Sequence, residues 1–451
     1  MNELNDKPRT NKTMNKLKKF LMTMLLCMLS VSLFGQLKNK PELEEDFMDM
    51  GFGIFIHWSM DSQLGSVISH SMVGASEDYL QRYMNELPKT FYPDKFDPDE
   101  WARLFKLTGA EYVVFTTKHH NGFCMWDTQT TDFNIMNTPY GKDITGMLVQ
   151  SLRKFGLKVG FYYSPEDFSF IHQQGHLISR KGPMTQVTEN AELFEYSKKQ
   201  VDELFTNYGK VDFAFFDSFS KKNLVQYVHE KYPEIVVTRG EMNTPEQKIP
   251  NEPMPGPWET CMTMGTQWAY KPTNEVYKDG GDLINKLIEI RAKGGNFLMN
   301  VGPKPNGEIP IEQEERLREM ALWMFINDEA VKNVRTAPTQ IKDGDLWFTK
   351  AKDENTAYVF ITNQPEWFKG KRRLFYTESI RATEETEISV LGQNDMVVEY
   401  SPTNKPVSLF TQRSHNLEIS VTRAQRVYND KIWPNPIVVK LTNVEFVLPE
   451  K

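Results

Sequence analysis

Between residues 51 and 330, short and nearly continuous apolar runs alternate with longer stretches whose apolar residues recur every three to four positions. The runs are Gly51–Trp58 (GFGIFIHW), Tyr112–His120, Lys158–Ser164, Val211–Asp217, Ile235–Arg239, Trp258–Met264 and Asn296–Gly302. Strands buried on both faces have this texture, as in a parallel sheet. Between them, Asp97-Pro98-Asp99-Glu100 reads as a helix start: an Asp cap, a Pro at the first helical position and carboxylates in the first turn. It leads into WARLFKL and stops at Gly109. Asp143–Phe155, Glu192–Tyr208, Asp282–Lys293 and Glu312–Phe325 follow the same pattern. Repeated strand–helix units predict an α/β fold, a (β/α)8-like (TIM-type) barrel. Seven strands are clear, so the eighth unit is expected to be short, irregular or missing. An open doubly wound sheet is the runner-up, but no Gly-rich phosphate fingerprint follows the first strand.

The texture changes near residue 335. Leu346–Phe348, Ala357–Ile361, Arg373–Phe375, Met396–Tyr400, Val407–Phe410, Leu417–Val421 and Ile437–Leu441 are short β-type runs separated by polar turns. They predict a C-terminal antiparallel β-sandwich. At the other end, Lys16, Lys18 and Lys19 precede an apolar run from Phe20 to Phe34. That run is short for a membrane span and fits a signal peptide, with cleavage near Gln36 and Met14 as an alternative start. The expected division is therefore 1–36 signal peptide, 37–335 barrel and 336–451 sandwich. The mature chain is expected to be secreted or periplasmic, with no stable membrane insertion after signal cleavage. Only Cys124 and Cys261 then remain, which is no disulfide framework. Two buried thiols are expected, with a single bridge as the alternative.

Composition narrows the function. The 451 residues are 39% hydrophobic and 25% charged, an ordinary globular balance. The net charge of −7 is spread without long single-sign blocks, which argues against a nucleic-acid partner. Trp347, Trp367 and Trp433 are candidate sugar-stacking residues in the C-terminal region, with core burial as the default reading.

In such a barrel the C-terminal strand ends face the active site. The strand candidates end in His57-Trp58, Lys118-His119-His120, Tyr162-Tyr163-Ser164, Asp217 and Arg239, with Glu241 beyond, and the sixth carries Trp258-Glu259. Asp217 leaves an apolar strand directly, where a charge is costly without partners. The alternative role is to cap the segment that begins near Ser220. Glu259 is the natural second carboxylate, beside Trp258 and an apolar stretch that would raise its pKa. Two carboxyls flanking a bond are the usual equipment of glycoside hydrolysis. The three histidines invite a zinc reading, but His119 and His120 alternate sides on a strand, and there is no HExxH or Cys–His cluster. No metal is expected.

With these residues in place, the chain resembles the α-L-fucosidases of glycoside hydrolase family 29 from about Gly51 to Gly307. The matching blocks include FDPDEWARLFKLTGAEYVVFTTKHHNGFCMWDT, GFYYS, FAFFDS, PWETCMTMGTQWAY and GGNFLMNVGPKPNGEIP. The resemblance implies a barrel followed by a β-sandwich, and a retaining double displacement with Asp217 as nucleophile and Glu259 as acid/base. It assigns His57, His119, His120, Tyr162 and Arg239 to the fucose hydroxyls. It adds Glu77, in SEDYLQRY, as a sugar-binding carboxylate and Trp268 as an aromatic near the sugar. The chain departs from the family pattern where Phe215 stands for a Trp, Ser218 for a Gly, and Ser59-Met60-Asp61 for a Gly-containing turn.

The expected protein is thus an exported exo-α-L-fucosidase acting on fucosylated glycans, with no cofactor. Two other readings stand beside it: the same machinery on a fucose-like sugar such as L-galactose, and a non-catalytic carbohydrate-binding homologue. The oligomeric state is not legible in the sequence.

Overall fold

In the computed structural model, seven parallel strands form one curved sheet: β1 (Phe52–Ile56), β2 (Tyr112–Lys118), β3 (Lys158–Tyr163), β4 (Phe213–Phe216), β5 (Val236–Val237), β6 (Glu259–Thr263) and β7 (Asn296–Val301). The residues described are 38–448 except 365, 426 and 428–433. The signal-like segment and Trp433 lie outside them. The strand order is β5-β4-β3-β2-β1-β7-β6, a TIM-like barrel with its edges at β5 and β6. The chain leaving β5 runs along β6, where isolated parallel bridges pair Asn243 with Trp258 and Glu246 with Cys261. This irregular segment occupies the place of an eighth strand.

Each strand is buried on both faces, as its composition requires. Tyr112, Val114, Phe55, Phe213, Phe215 and Leu298 point inward and pack on one another. Ile54, Ile56, Val113, Phe115 and Val159 point outward under the helices. Those helices are α1 (Pro41–Met50), α2 (Glu77–Asn85), α3 (Pro98–Leu107), α4 (Ile144–Lys154), α5 (Phe168–Gln173), α6 (Ala191–Asn207), α7 (Lys222–Lys231), α8 (Gly280–Ala292) and α9 (Ile311–Asn327). Short polar side chains cap several starts: Asp97 accepts from Glu100 N–H, Asp143 from Gly146 N–H, Asp167 from Phe170 N–H and Asn190 from Leu193 N–H. The α1 helix closes the N-terminal end of the barrel, with the Phe47 ring 5.6 Å from both Tyr112 and Phe213. The turn out of α1 needs Gly51: φ is +71°, and a Cβ would meet Arg291 and the Val331 carbonyl at 2.7 Å.

Antiparallel strands follow from β8 (Val334–Thr336). Beyond it come β9 (Lys342–Asp343), β10 (Leu346–Ala351), β11 (Ala357–Ile361), β12 (Arg372–Thr377), β13 (Ile380–Val390), β14 (Leu409–Gln412), β15 (Leu417–Thr422) and β16 (Ile437–Phe446). One sheet runs β13-β16-β11-β10-β8, with β9 on β10, and the other β12-β15-β14. Their inner faces bury Phe348, Val359, Leu417, Ile419, Val439 and Leu441. The Trp323 ring on α9 stacks over Phe360, and its Nε1–H donates to the Pro436 carbonyl at 2.8 Å.

One expected strand is absent, and the default readings of the tryptophans and cysteines hold. Met396–Tyr400 is not a strand, and Tyr400 takes a positive φ of 58°. Trp367 is buried and Trp347 packs beneath Lys293 and Lys342, so neither is a free platform. Cys124 and Cys261 are buried free thiols. Among the described residues no helix is long and apolar enough to cross a membrane.

Candidate active site

The C-terminal strand ends surround a cavity of about 240 Å³ lined by His57, His119, Tyr162, Asp217, Arg239 and Trp268, among others. That is below the roughly 300–1,000 Å³ of pockets for drug-sized ligands, so it suits one small ring. A larger groove of about 410 Å³ runs between α3 and α9, but its Lys95 and Glu308 already pair with each other at 2.8 Å. The unspent polar groups converge on the smaller cavity.

Asp217 follows β4 directly, with its side chain 21% exposed. Its Oδ2 accepts from the Tyr162 hydroxyl at 2.9 Å, and its Oδ1 lies 3.2 Å from Arg239 Nε. Burial alone would raise its pKa, but the Arg239 charge, the Tyr162 hydrogen bond and the Arg180 charge outweigh burial and hold it below the usual carboxylate range. The α7 helix is capped at Lys221, so Asp217 is not spent as a helix cap.

Hydrogen-bond partners fix what each histidine offers. Asn300 Nδ2 donates to the Trp268 carbonyl, so its Oδ1 accepts from His57 Nδ1 at 2.6 Å. His57 therefore presents the lone pair of Nε2. Ser164 donates to the Glu166 carbonyl, so its hydroxyl accepts from His120 Nδ1 at 2.6 Å, and His120 Nε2 is also an acceptor, 3.6 Å from Asp217. His119 Nδ1 instead accepts from the His120 backbone N–H, which leaves its proton on Nε2. Burial lowers all three pKa values, to about 4 for His57 and about 3 for His120, so the rings are neutral. His57 thus offers the cavity an acceptor and His119 a donor, a pair matched to hydroxyl groups, while His120 is wholly buried behind Asp217 and is not among the lining residues. Backbone approach supports this corner. Gly122, at φ +89°, leaves room for Asp167, whose carboxylate would sit 2.2 Å from a Cβ there.

His119, His120 and Asp217 each place one ligand atom within 4.8 Å of the others, the spacing of a metal triad. The chemistry of the donor set does not fit. The His119 Nδ1 lone pair is committed to a backbone N–H, and Nε2 carries the proton.

Glu259 is corrected. It is the first residue of β6, not the last, paired with Asn296 at the start of β7. The Tyr112 hydroxyl, from the first residue of β2, donates to its Oε2 at 2.9 Å. Tyr162 pairs with Thr116, four residues further along β2 and about 13 Å higher by strand rise. Glu259 is therefore wholly buried near the N-terminal end of the barrel and does not line the cavity. Glu77 is corrected too. It begins α2, is 65% exposed and pairs with His172 at 2.9 Å, away from the cavity-lining residues.

The second carboxyl in the cavity is Glu246, which the sequence reading missed. Its Oε2 lies 3.0 Å from Arg239 Nη2, and its side chain is 43% exposed. The same edge of the Arg239 guanidinium thus meets Asp217 and Glu246. Pairing with Cys261, two residues above Glu259, lifts Glu246 to the cavity. A further carboxyl, Glu166, is buried behind His120 at 3.7 Å, and burial pushes it up to about 7.

Comparison with known proteins agrees with this geometry. The family model described as alpha-L-fucosidase matches residues 35–329. The chain is 29% identical to the plasma alpha-L-fucosidase of Rattus norvegicus over 382 residues, 76% of this chain and 81% of that protein. Among solved structures, alpha-L-fucosidase isoenzyme 1 from Paenibacillus thiaminolyticus superposes with TM-score 0.70 at 26% identity, covering 89% of this chain and 99% of that one. The Thermotoga maritima alpha-fucosidase bound to a mechanism based inhibitor gives TM-score 0.67 at 27% identity, covering 88% and 96%. With its barrel, its neutral histidines and its Asp217 carboxylate at the strand ends, this chain belongs to the α-L-fucosidase family of glycoside hydrolases.

Proposed function

We propose that the protein is an exported, exo-acting α-L-fucosidase that removes terminal α-linked L-fucose from glycans by a retaining double displacement. The carrying observation is the pair Asp217 and Glu246 on one edge of Arg239 within a cavity sized for one sugar ring. In the first step an Asp217 oxygen attacks the anomeric carbon, and the bond to the glycosidic oxygen breaks as Glu246 gives that oxygen its proton. Glu246 then takes a proton from water, whose oxygen displaces Asp217 and releases fucose with its original configuration. A shared guanidinium edge keeps the carboxyls near each other, as retention requires.

The side chains around the pair support a deoxy sugar. His57 accepts from a hydroxyl, and His119 donates. Phe55, Phe215 and Trp268 supply apolar surface for a ring face and a methyl group. The basic stretch before the apolar run at Phe20–Phe34 supports export to the periplasm or beyond.

Hydrolysis of an aryl α-L-fucoside, followed by NMR from the first turnover, tests this reading. The α anomer should appear first. The β anomer first, or preference for the aryl α-L-galactoside in a parallel assay, would contradict it.

A further inference from the structure

The mouth of the cavity carries two groups that the proposed chemistry leaves unused. Arg180 lines the cavity with its side chain 25% exposed, and none of its guanidinium N–H groups has a hydrogen-bond partner among the described residues. Its Nε is buried and makes no hydrogen bond, its nearest carboxyl being Glu166 at 3.6 Å. Phe219, two residues after Asp217, also lines the cavity yet is 66% exposed, and the Arg180 guanidinium stands 5.4 Å from its ring.

Glu166 is fully buried and lies 3.6 Å from Arg180 Nε, with neither of its carboxyl oxygens in a hydrogen bond among the described residues. One buried carboxyl therefore stands behind Arg180. Burial and the nearby Asp217 charge raise that carboxyl to about 7, against the pull of Arg180, so near neutrality it cancels only part of the Arg180 charge. Asp217 itself is already engaged by Arg239 and Tyr162.

We propose that Arg180 and Phe219 form the leaving-group subsite, and that this subsite selects an acidic sugar bearing a carboxylate or a sulfate ester. The inference rests on the fucosidase reading. With fucose filling the cavity, the leaving ring must lie at the mouth. There Phe219 offers a face for stacking and Arg180 a planar fork of donors, which suits an oxyanion. No other exposed aromatic lines the cavity among the described residues.

The test compares kcat/KM for α-L-fucosyl disaccharides whose leaving sugar is galactose, galacturonate or 6-sulfated galactose, with α-L-fucosyl fluoride as a reference without a leaving ring. The acidic disaccharides should exceed the neutral one by about tenfold or more in the wild type. In R180M the ratio should fall toward one, chiefly through KM, and R180K should recover part of it. F219A should lower all three disaccharides relative to the fluoride. Thermal melts of each variant establish that the fold persists. The carboxylate and sulfate arms tell the two acidic classes apart. Turnover without acidic preference, or a preference unchanged in R180M, overturns the inference and leaves the fucosidase reading standing. No turnover of any fucoside, the fluoride included, overturns both.

Discussion

The Tyr112 hydroxyl holds Glu259 at 2.9 Å near the N-terminal end of the barrel, among residues that begin their strands, while Asp217 leaves the C-terminal end of β4. The two carboxyls that look equivalent in the chain therefore do different work. Glu259 lies buried away from the cavity, and Asp217 lines it.

Its stability signature follows. Burial, opposed by Thr238, Tyr112 and Arg239, raises the Glu259 pKa from 4.5 to about 7. The folded state thus holds this proton more tightly than the unfolded chain. The stabilisation is fully present below about pH 4.5 and is lost as pH rises through about 7, roughly 3 kcal/mol in all. Glu259→Gln should flatten the dependence of unfolding free energy on pH across that window while keeping turnover within several-fold of wild type. Denaturant unfolding at pH 5 and pH 8 checks the first point. An unchanged slope contradicts it.

Glu246→Gln should behave as the loss of an acid/base. Hydrolysis of a fucosyl disaccharide should fall by about 10²–10⁴-fold, and α-L-fucosyl fluoride, whose departure needs less protonation, should suffer far less. Added azide should yield α-L-fucosyl azide, since attack on the covalent intermediate then needs no base. Equal losses on both substrates would remove Glu246 from this role.

The barrel was legible because its strands are continuous apolar runs and several of its helices open on Asp or Asn caps. The β13 strand was not: in IRATEETEISV only Ile380, Thr386 and Val390 are buried, and a register shift between Ala382 and Glu387 breaks the alternation. Asp217 was legible because a strand delivers it to the rim. Glu259 was misplaced because the apolar run around it hides which end of β6 it occupies. Glu246 carried no strand pattern at all. It sits between Pro245 and Pro250 on the segment along β6, and only the tertiary pairing with Cys261 brings it to the cavity.

In the proposed mechanism, the neighbours of Asp217 set the acid limb of activity. Tyr162 and Arg239 both favour the ionised form of Asp217. Removing either, as in Tyr162→Phe or Arg239→Met, should raise the Asp217 pKa and move the acid limb of the kcat/KM–pH profile to higher pH. The Tyr162→Phe shift is the cleaner reading, because Arg239 also touches Glu246. A limb that stays in place would mean that another group governs it.

The most direct test is to trap the covalent species. Incubation with 2-deoxy-2-fluoro-α-L-fucosyl fluoride, proteolysis and mass spectrometry should find a single fluorofucosyl ester, on Asp217, and none in the Asp217→Asn variant. A label on Glu246, Glu166 or Glu259, or an Asp217→Asn enzyme that still turns over, would contradict the assignment.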